Sequence, residues 1–132
     1  MKNSVIRIIF LISLISFVSC KKSGTTSPPS EPVIVFVTDA TGSNTSLGSR
    51  FTVSVTLTSA LPSAQGIKIE STVTDQTSNS NLTQSALTSV LVKSSYDIVN
   101  LPQQHLCNVS LKVSSVSTPS NSATQTFTVV YK

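Results

Sequence analysis

From Val33 onward the chain alternates apolar and polar residues with a period of two, the mark of half-buried β-strands. The clearest stretch sets Phe51, Val53, Val55 and Leu57 against Thr52, Ser54, Thr56 and Thr58, which predicts a strand whose apolar face is core. A second sets Cys107, Val109, Leu111 and Val113 against Asn108, Ser110, Lys112 and Ser114. A third, within Ala123 to Tyr131, sets Phe127, Val129 and Tyr131 against Thr124, Thr126 and Thr128. Ile67, Ile69 and Val73 alternate with Lys68, Glu70 and Thr72, and Tyr96, Ile98 and Asn100 with Asp97, Val99 and Leu101 until Pro102 forces a turn. Val33 to Val37 is apolar on both faces, as a strand covered on two sides would be. Leu82 to Val92 gives two signals. Leu82, Ala86, Leu87, Val90 and Leu91 have helical spacing, whereas Thr88, Val90 and Val92 favour a strand, and the all-β surroundings tip the reading to strand.

Turn-forming residues separate these runs: Asp39 to Ser49, Leu61-Pro62-Ser63, Asp75 to Asn81, Leu101 to Gln104 and Thr118 to Asn121. About seven antiparallel strands in about a hundred residues predict an all-β chain folded as a single sandwich over residues 33–132. The last two strands, LCNVSLKVSSV and ATQTFTVVY, resemble the F and G strands of immunoglobulin-like and fibronectin type III-like domains. His105-Leu106-Cys107 stands where immunoglobulin domains carry Tyr-x-Cys. The chain departs from that pattern in having no Cys on the Phe51 to Leu57 strand and no Trp.

Ahead of the strands lies a different kind of segment. Lys2 and Arg7 precede Ile8 to Val18, an apolar run of eleven residues, and Ser19 is a small residue before Cys20. Eleven residues fall short of the ~20 that a spanning helix needs, so the layout is that of a secretory signal. Phe17-Val18-Ser19-Cys20 resembles the lipobox of bacterial prolipoproteins, with Phe17 where Leu is usual. The resemblance implies cleavage after Ser19 and diacylglyceryl attachment to Cys20, making residues 1–19 a leader. Two or more acyl chains, each buried CH2 contributing ~0.8 kcal/mol, make a stable anchor where one chain is marginal. The competing reading is an ordinary signal with an incidental Cys. Residues 20–32 then form the lipidated end and a Ser/Pro-rich spacer, KKSGTTSPPSEP having no apolar side chain to bury.

Composition narrows the function classes. The formal charge of +4 falls to +2 once Lys2 and Arg7 leave with the leader, and the remaining basic residues are dispersed apart from Lys21-Lys22, so no nucleic-acid surface is indicated. Ser and Thr make up 43 of 132 residues, the composition of a secreted β-protein with hydroxyl-rich faces. With Cys20 committed to lipid, Cys107 stands alone, which an oxidising compartment tolerates when the thiol is buried.

Candidate chemistry is sparse. His105 and Cys107 share a strand face and suggest a metal pair or a Cys/His couple. Zinc requires three or four ligands, and the chain has one His and no other free Cys. A thiol nucleophile requires a His oriented onto it by a third group. The simpler account is a buried Cys beside a His at the sheet end, and an enzyme using His105 is the third-ranked reading. Glu31, Asp39, Glu70, Asp75 and Asp97 are scattered without a calcium-loop spacing, and the four glycines form no phosphate loop. No metal or cofactor is expected. Glycan binding wants exposed aromatic faces, for which Tyr96 and Tyr131 are the candidates. The threonine ladders resemble ice-binding arrays, although Thr is an ordinary exposed strand residue. Three Asn-x-Ser/Thr sequons carry no meaning behind a bacterial lipobox.

Together these readings predict a non-catalytic, lipid-anchored envelope protein, a structural or protein-binding module, with a small glycan-binding accessory protein as the alternative. Its partners are then the membrane and another envelope protein or a polysaccharide, met through the loops Asp39 to Ser49, Asp75 to Asn81 and Leu101 to Gln104 or along an open strand edge. By resemblance to the sorting rule of enteric bacteria, Lys21 after the Cys points to the outer membrane, on its periplasmic side.

Overall fold

The structure, a computed structural model, describes residues 30–132. The leader, Cys20 and the spacer as far as Pro29 lie outside the described residues. The body is all-β, with nine strands in two sheets. The smaller sheet runs β1 (Phe36–Thr38), β3 (Phe51–Leu57), β7 (Lys93–Ile98). The larger runs β2 (Ser43–Ser46), β9 (Ser122–Tyr131), β8 (Leu106–Ser115), β4 (Ile67–Asp75), β5 (Ser80–Leu82), with β6 (Leu87–Ser89) also against β4.

The long strands form where the alternation is strict, because only that pattern buries one face and wets the other. Val53, Val55, Leu57, Tyr96 and Ile98 of the smaller sheet meet Ile67, Ile69, Val73, Val109, Leu111, Val113, Phe127 and Val129 of the larger in one core. Each such side chain fully withdrawn from water contributes ~1.5–3 kcal/mol, so the sandwich is held by burial. Cys107, a buried free thiol, fills a small apolar position in that core.

Three expectations are corrected. Among the described residues there are nine strands rather than about seven, and they are not all antiparallel: β2 lies inside the stretch expected to be the Asp39 to Ser49 loop and pairs parallel with β9. Ser43-Asn44-Thr45-Ser46 is polar on both faces because it is an edge strand that buries only Ser46. Val33 to Val37 is covered on one side alone, with Ile34 and Phe36 in the core and Val33, Val35 and Val37 exposed. Leu82 to Val92 is neither one helix nor one strand. It splits into the end of β5, a crossing segment and β6, which pair with opposite ends of β4.

Side-chain amides close the seams between the sheets. Asn121 accepts from the Ile34 N–H at 3.1 Å and donates to the Pro32 carbonyl at 2.8 Å. Gln125 donates to the Phe36 carbonyl at 2.8 Å and accepts from the Thr38 hydroxyl at 3.2 Å. Each primary amide copies the donor or acceptor of a peptide group, so Gln125 takes the outward Phe36 carbonyl of β1 and Asn121 covers the segment leading into it, without a strand beside them. No buried side-chain N or O among the described residues lacks a partner.

Candidate functional site

The outer face of the larger sheet is left uncovered by any other strand among the described residues. Strand alternation turns Glu70, Thr72 and Thr74 of β4, Asn108, Ser110 and Lys112 of β8, and Thr124, Thr126 and Thr128 of β9 to this side. Register aligns them in rows: Thr74, Asn108, Thr128; then Thr72, Ser110, Thr126; then Glu70, Lys112, Thr124. The parallel pairing adds Ser43 beside Thr128. Hydroxyls and one carboxamide therefore sit on a grid of ~4.8 Å between strands and ~7 Å along them. Two shallow depressions of about 560 and 340 Å³ lie over the grid and share Thr72 and Ser110. The first two rows carry no charge. Such a face offers many donors and acceptors at fixed spacing, and it suits a neutral, hydrogen-bonding partner.

At one end of the sandwich, β4 and β8 bring together residues the chain keeps far apart. Asp75 is the register partner of Cys107, and His105 Nδ1 lies 2.8 Å from Asp75 Oδ2. Asp75 also caps the hairpin to β5, accepting from the Thr77 N–H at 2.9 Å and from the Ser78 hydroxyl. Its carboxyl is held down to about 2, chiefly by the Ser78 hydrogen bond, with His105 and the Thr77 N–H adding to it. Cys107 is pushed the other way, because burial and then the Asp75 charge both disfavour its thiolate. Asp75 is thus the orienting group that sequence spacing did not reveal, yet it orients His105 without delivering it: no hydrogen bond joins the imidazole to the sulfur among the described residues. The thiol remains a protonated core group, and the cluster acts as a turn cap. No group of three His, Cys, Asp or Glu among the described residues is placed to hold a metal.

The two tyrosines separate. Tyr96 is 2% exposed, with its hydroxyl donating to the Ser85 carbonyl at 2.8 Å and bonded to Ser71 Oγ at 3.0 Å. As a sugar-stacking platform it is therefore withdrawn, since its ring is core. Tyr131 is half-buried, packed against the core at the end of β9. Cys20, the proposed lipid attachment, lies outside the described residues. Of the remaining carboxylates, Asp97 takes the Thr52 hydroxyl at 2.6 Å and an exposed Arg50 at 3.4 Å. Glu31 is lowered by hydrogen bonds from Ser115 at the end of β8 and, less, from the turn that follows it.

The grid was half visible in the sequence. The Thr124, Thr126, Thr128 ladder is legible, but its alignment with Thr72, Ser110 and Asn108 is a matter of register. Comparison with family models, curated proteins and solved structures yields no match to this chain.

Proposed function

We propose that this chain is a bacterial lipoprotein of the outer membrane, periplasmic side, whose acylated Cys20 carries a non-catalytic, immunoglobulin-like binding module. The strand order supports that family of folds: β1, β3 and β7 stand as strands A, B and E, and β4, β8 and β9 as C, F and G. The observation that carries the binding role is the uncovered hydroxyl and carboxamide grid on β4, β8 and β9. Its partner in this reading is another envelope protein, engaged by hydrogen bonds with little apolar burial.

Two measurements test the two halves separately. Mass spectrometry of the native protein's N-terminal peptide should find Cys20 first and acylated, and a free thiol or a start elsewhere ends the lipoprotein reading. A photoreactive side chain at Thr126 should capture a defined neighbour in cells, whereas one at Thr56 on the opposite sheet should not. Equal capture from both positions rejects the face. The same grid suits sugar hydroxyls, so the glycan reading is carried by Asn108 and Thr126 in place of Tyr96. Retention on a polysaccharide panel, lost in Asn108→Ala with Thr126→Ala, would favour it over a protein partner.

A further inference from the structure

β7 is an outermost strand of the smaller sheet: β3 takes one side of it and, among the described residues, no strand takes the other. In an antiparallel ladder, successive residues send their backbone groups to opposite sides. The Leu57 N–H reaches the Val92 carbonyl at 2.8 Å, which sets the phase. Ser94, Tyr96 and Ile98 bond to β3, and Lys93, Ser95 and Asp97 aim their N–H and C=O groups away from it. Gln84 agrees with this phase and marks the limit of the open stretch, because its amide meets the Val99 N–H and carbonyl at 2.9 Å each. Lys93, Ser95 and Asp97 are all exposed, as are Val90, Leu91 and Val92 at the other end.

The contrast with the other edges is informative. Folded proteins blunt their edges to prevent strand addition. Here β1 is three residues long with Gln125 on its Phe36 carbonyl and Asn121 on the segment before it, and β2, β5 and β6 are only three or four residues long. The six-residue β7 is left open along its middle.

We propose that this edge is a homodimer interface in which two copies of β7 pair antiparallel about Ser95. That register sets Ser95 against Ser95 of the second copy, and Lys93 against Asp97 twice over, on the same face. The edge is therefore self-complementary, as a two-fold interface must be. Directly opposed unlike charges stabilise a strand pair, and the three facing residues on each copy exchange about six backbone hydrogen bonds. Gln84 keeps Val99 out of the pairing, so the added ladder ends at Lys93 and Asp97. The two smaller sheets become one continuous six-stranded sheet, and the hydroxyl grids on the larger sheets stay uncovered. The inference stands on the strand edge alone and does not depend on the lipid at Cys20.

Site-directed cross-linking of the full chain in membranes tests it. Opposed residues of this kind have Cα atoms ~5.5 Å apart, inside the ~4.4–6.8 Å range of disulfides. Ser95→Cys should form a reducible dimer on mild oxidation. Ser54→Cys, one strand inward on the same face, lies ~14 Å from its copy and should give none. Lys93→Asp should lower the Ser95→Cys dimer about tenfold, which is ~1.4 kcal/mol, and Asp97→Lys added to it should restore the yield. Ser95→Pro removes an N–H from the open edge alone, so it should make the detergent-solubilised full chain monomeric by light scattering while its melting temperature holds. A monomeric parent chain overturns the proposal. So does a Ser95→Cys thiol that reacts with maleimide yet forms no dimer, or that joins only to a different protein.

Discussion

Tyr96→Phe isolates one hydroxyl at the centre of the sandwich. The ring stays buried in either variant, so the change removes the bond donated to the Ser85 carbonyl and the one shared with Ser71 Oγ. Having given its single proton to Ser85, the phenol accepts from Ser71, and each bond contributes ~0.5–1.5 kcal/mol net. The loss should be about 1–3 kcal/mol. At ~4–8 °C per kcal/mol for a domain of this size, the melting temperature should fall by about 4–24 °C. A cycle with Ser71→Ala should show a coupling of ~0.5 kcal/mol or more, because the two hydroxyls touch. Tyr96→Ala goes further: emptying an aromatic site costs ~3–5 kcal/mol, comparable to the ~5–15 kcal/mol that holds a domain together. Any ligand lost in Tyr96→Ala would thus be lost with the fold. Thermal and urea denaturation of both variants check this. A Tyr96→Phe protein melting within ~1 °C of the parent, with no coupling to Ser71, would refute the buried hydrogen-bonded placement.

Gly66 has φ +80°, and a Cβ there would stand 2.1 Å from the Ser89 carbonyl oxygen, so Gly66→Ala should cost more than the ~1–3 kcal/mol of the backbone conformation alone, read by urea denaturation. Asp75 has its carboxyl lowered from 3.8 to about 2, so its stabilising contribution is fully present above pH ~4 and is lost as the pH falls toward 2. Melting temperature against pH should show that acid limb, and Asp75→Asn should flatten it. Gln125→Ala should free the outer side of β1 and cost ~1–2 kcal/mol, with hydrogen exchange accelerating at Thr58 and Asp39, whose amides face β1 and β3, and unchanged within β8.

How far the fold is legible depends on what each strand buries. The alternation from Phe51 to Leu57 matches the observed β3 because a strand with one face in the core must alternate. The strands around Cys107 to Val113 and Ala123 to Tyr131 differ from the observed ones only at their ends. β2 is invisible in the pattern because Ser43 to Ser46 buries one residue in four and is held to β9 chiefly by backbone pairing, which leaves no mark on apolar alternation. Val33 to Val37 misled in the other direction, since apolar residues are common on surfaces and three consecutive odd-numbered valines need not mean two covered faces. The candidate face shows the same division. Its threonines are visible one strand at a time, whereas the grid and the Asp75–His105 contact come from register, set by turns and by burial thirty or more residues away.

The parallel pairing of β2 with β9 has a mechanical meaning. β2 follows β1 on the N-terminal side of the body, β9 is the last strand, and the two run in the same direction side by side, so a pull on the N-terminal side of β2 and the C-terminal side of β9 slides one along the other. All the hydrogen bonds between them then bear the load together instead of opening singly like a zip.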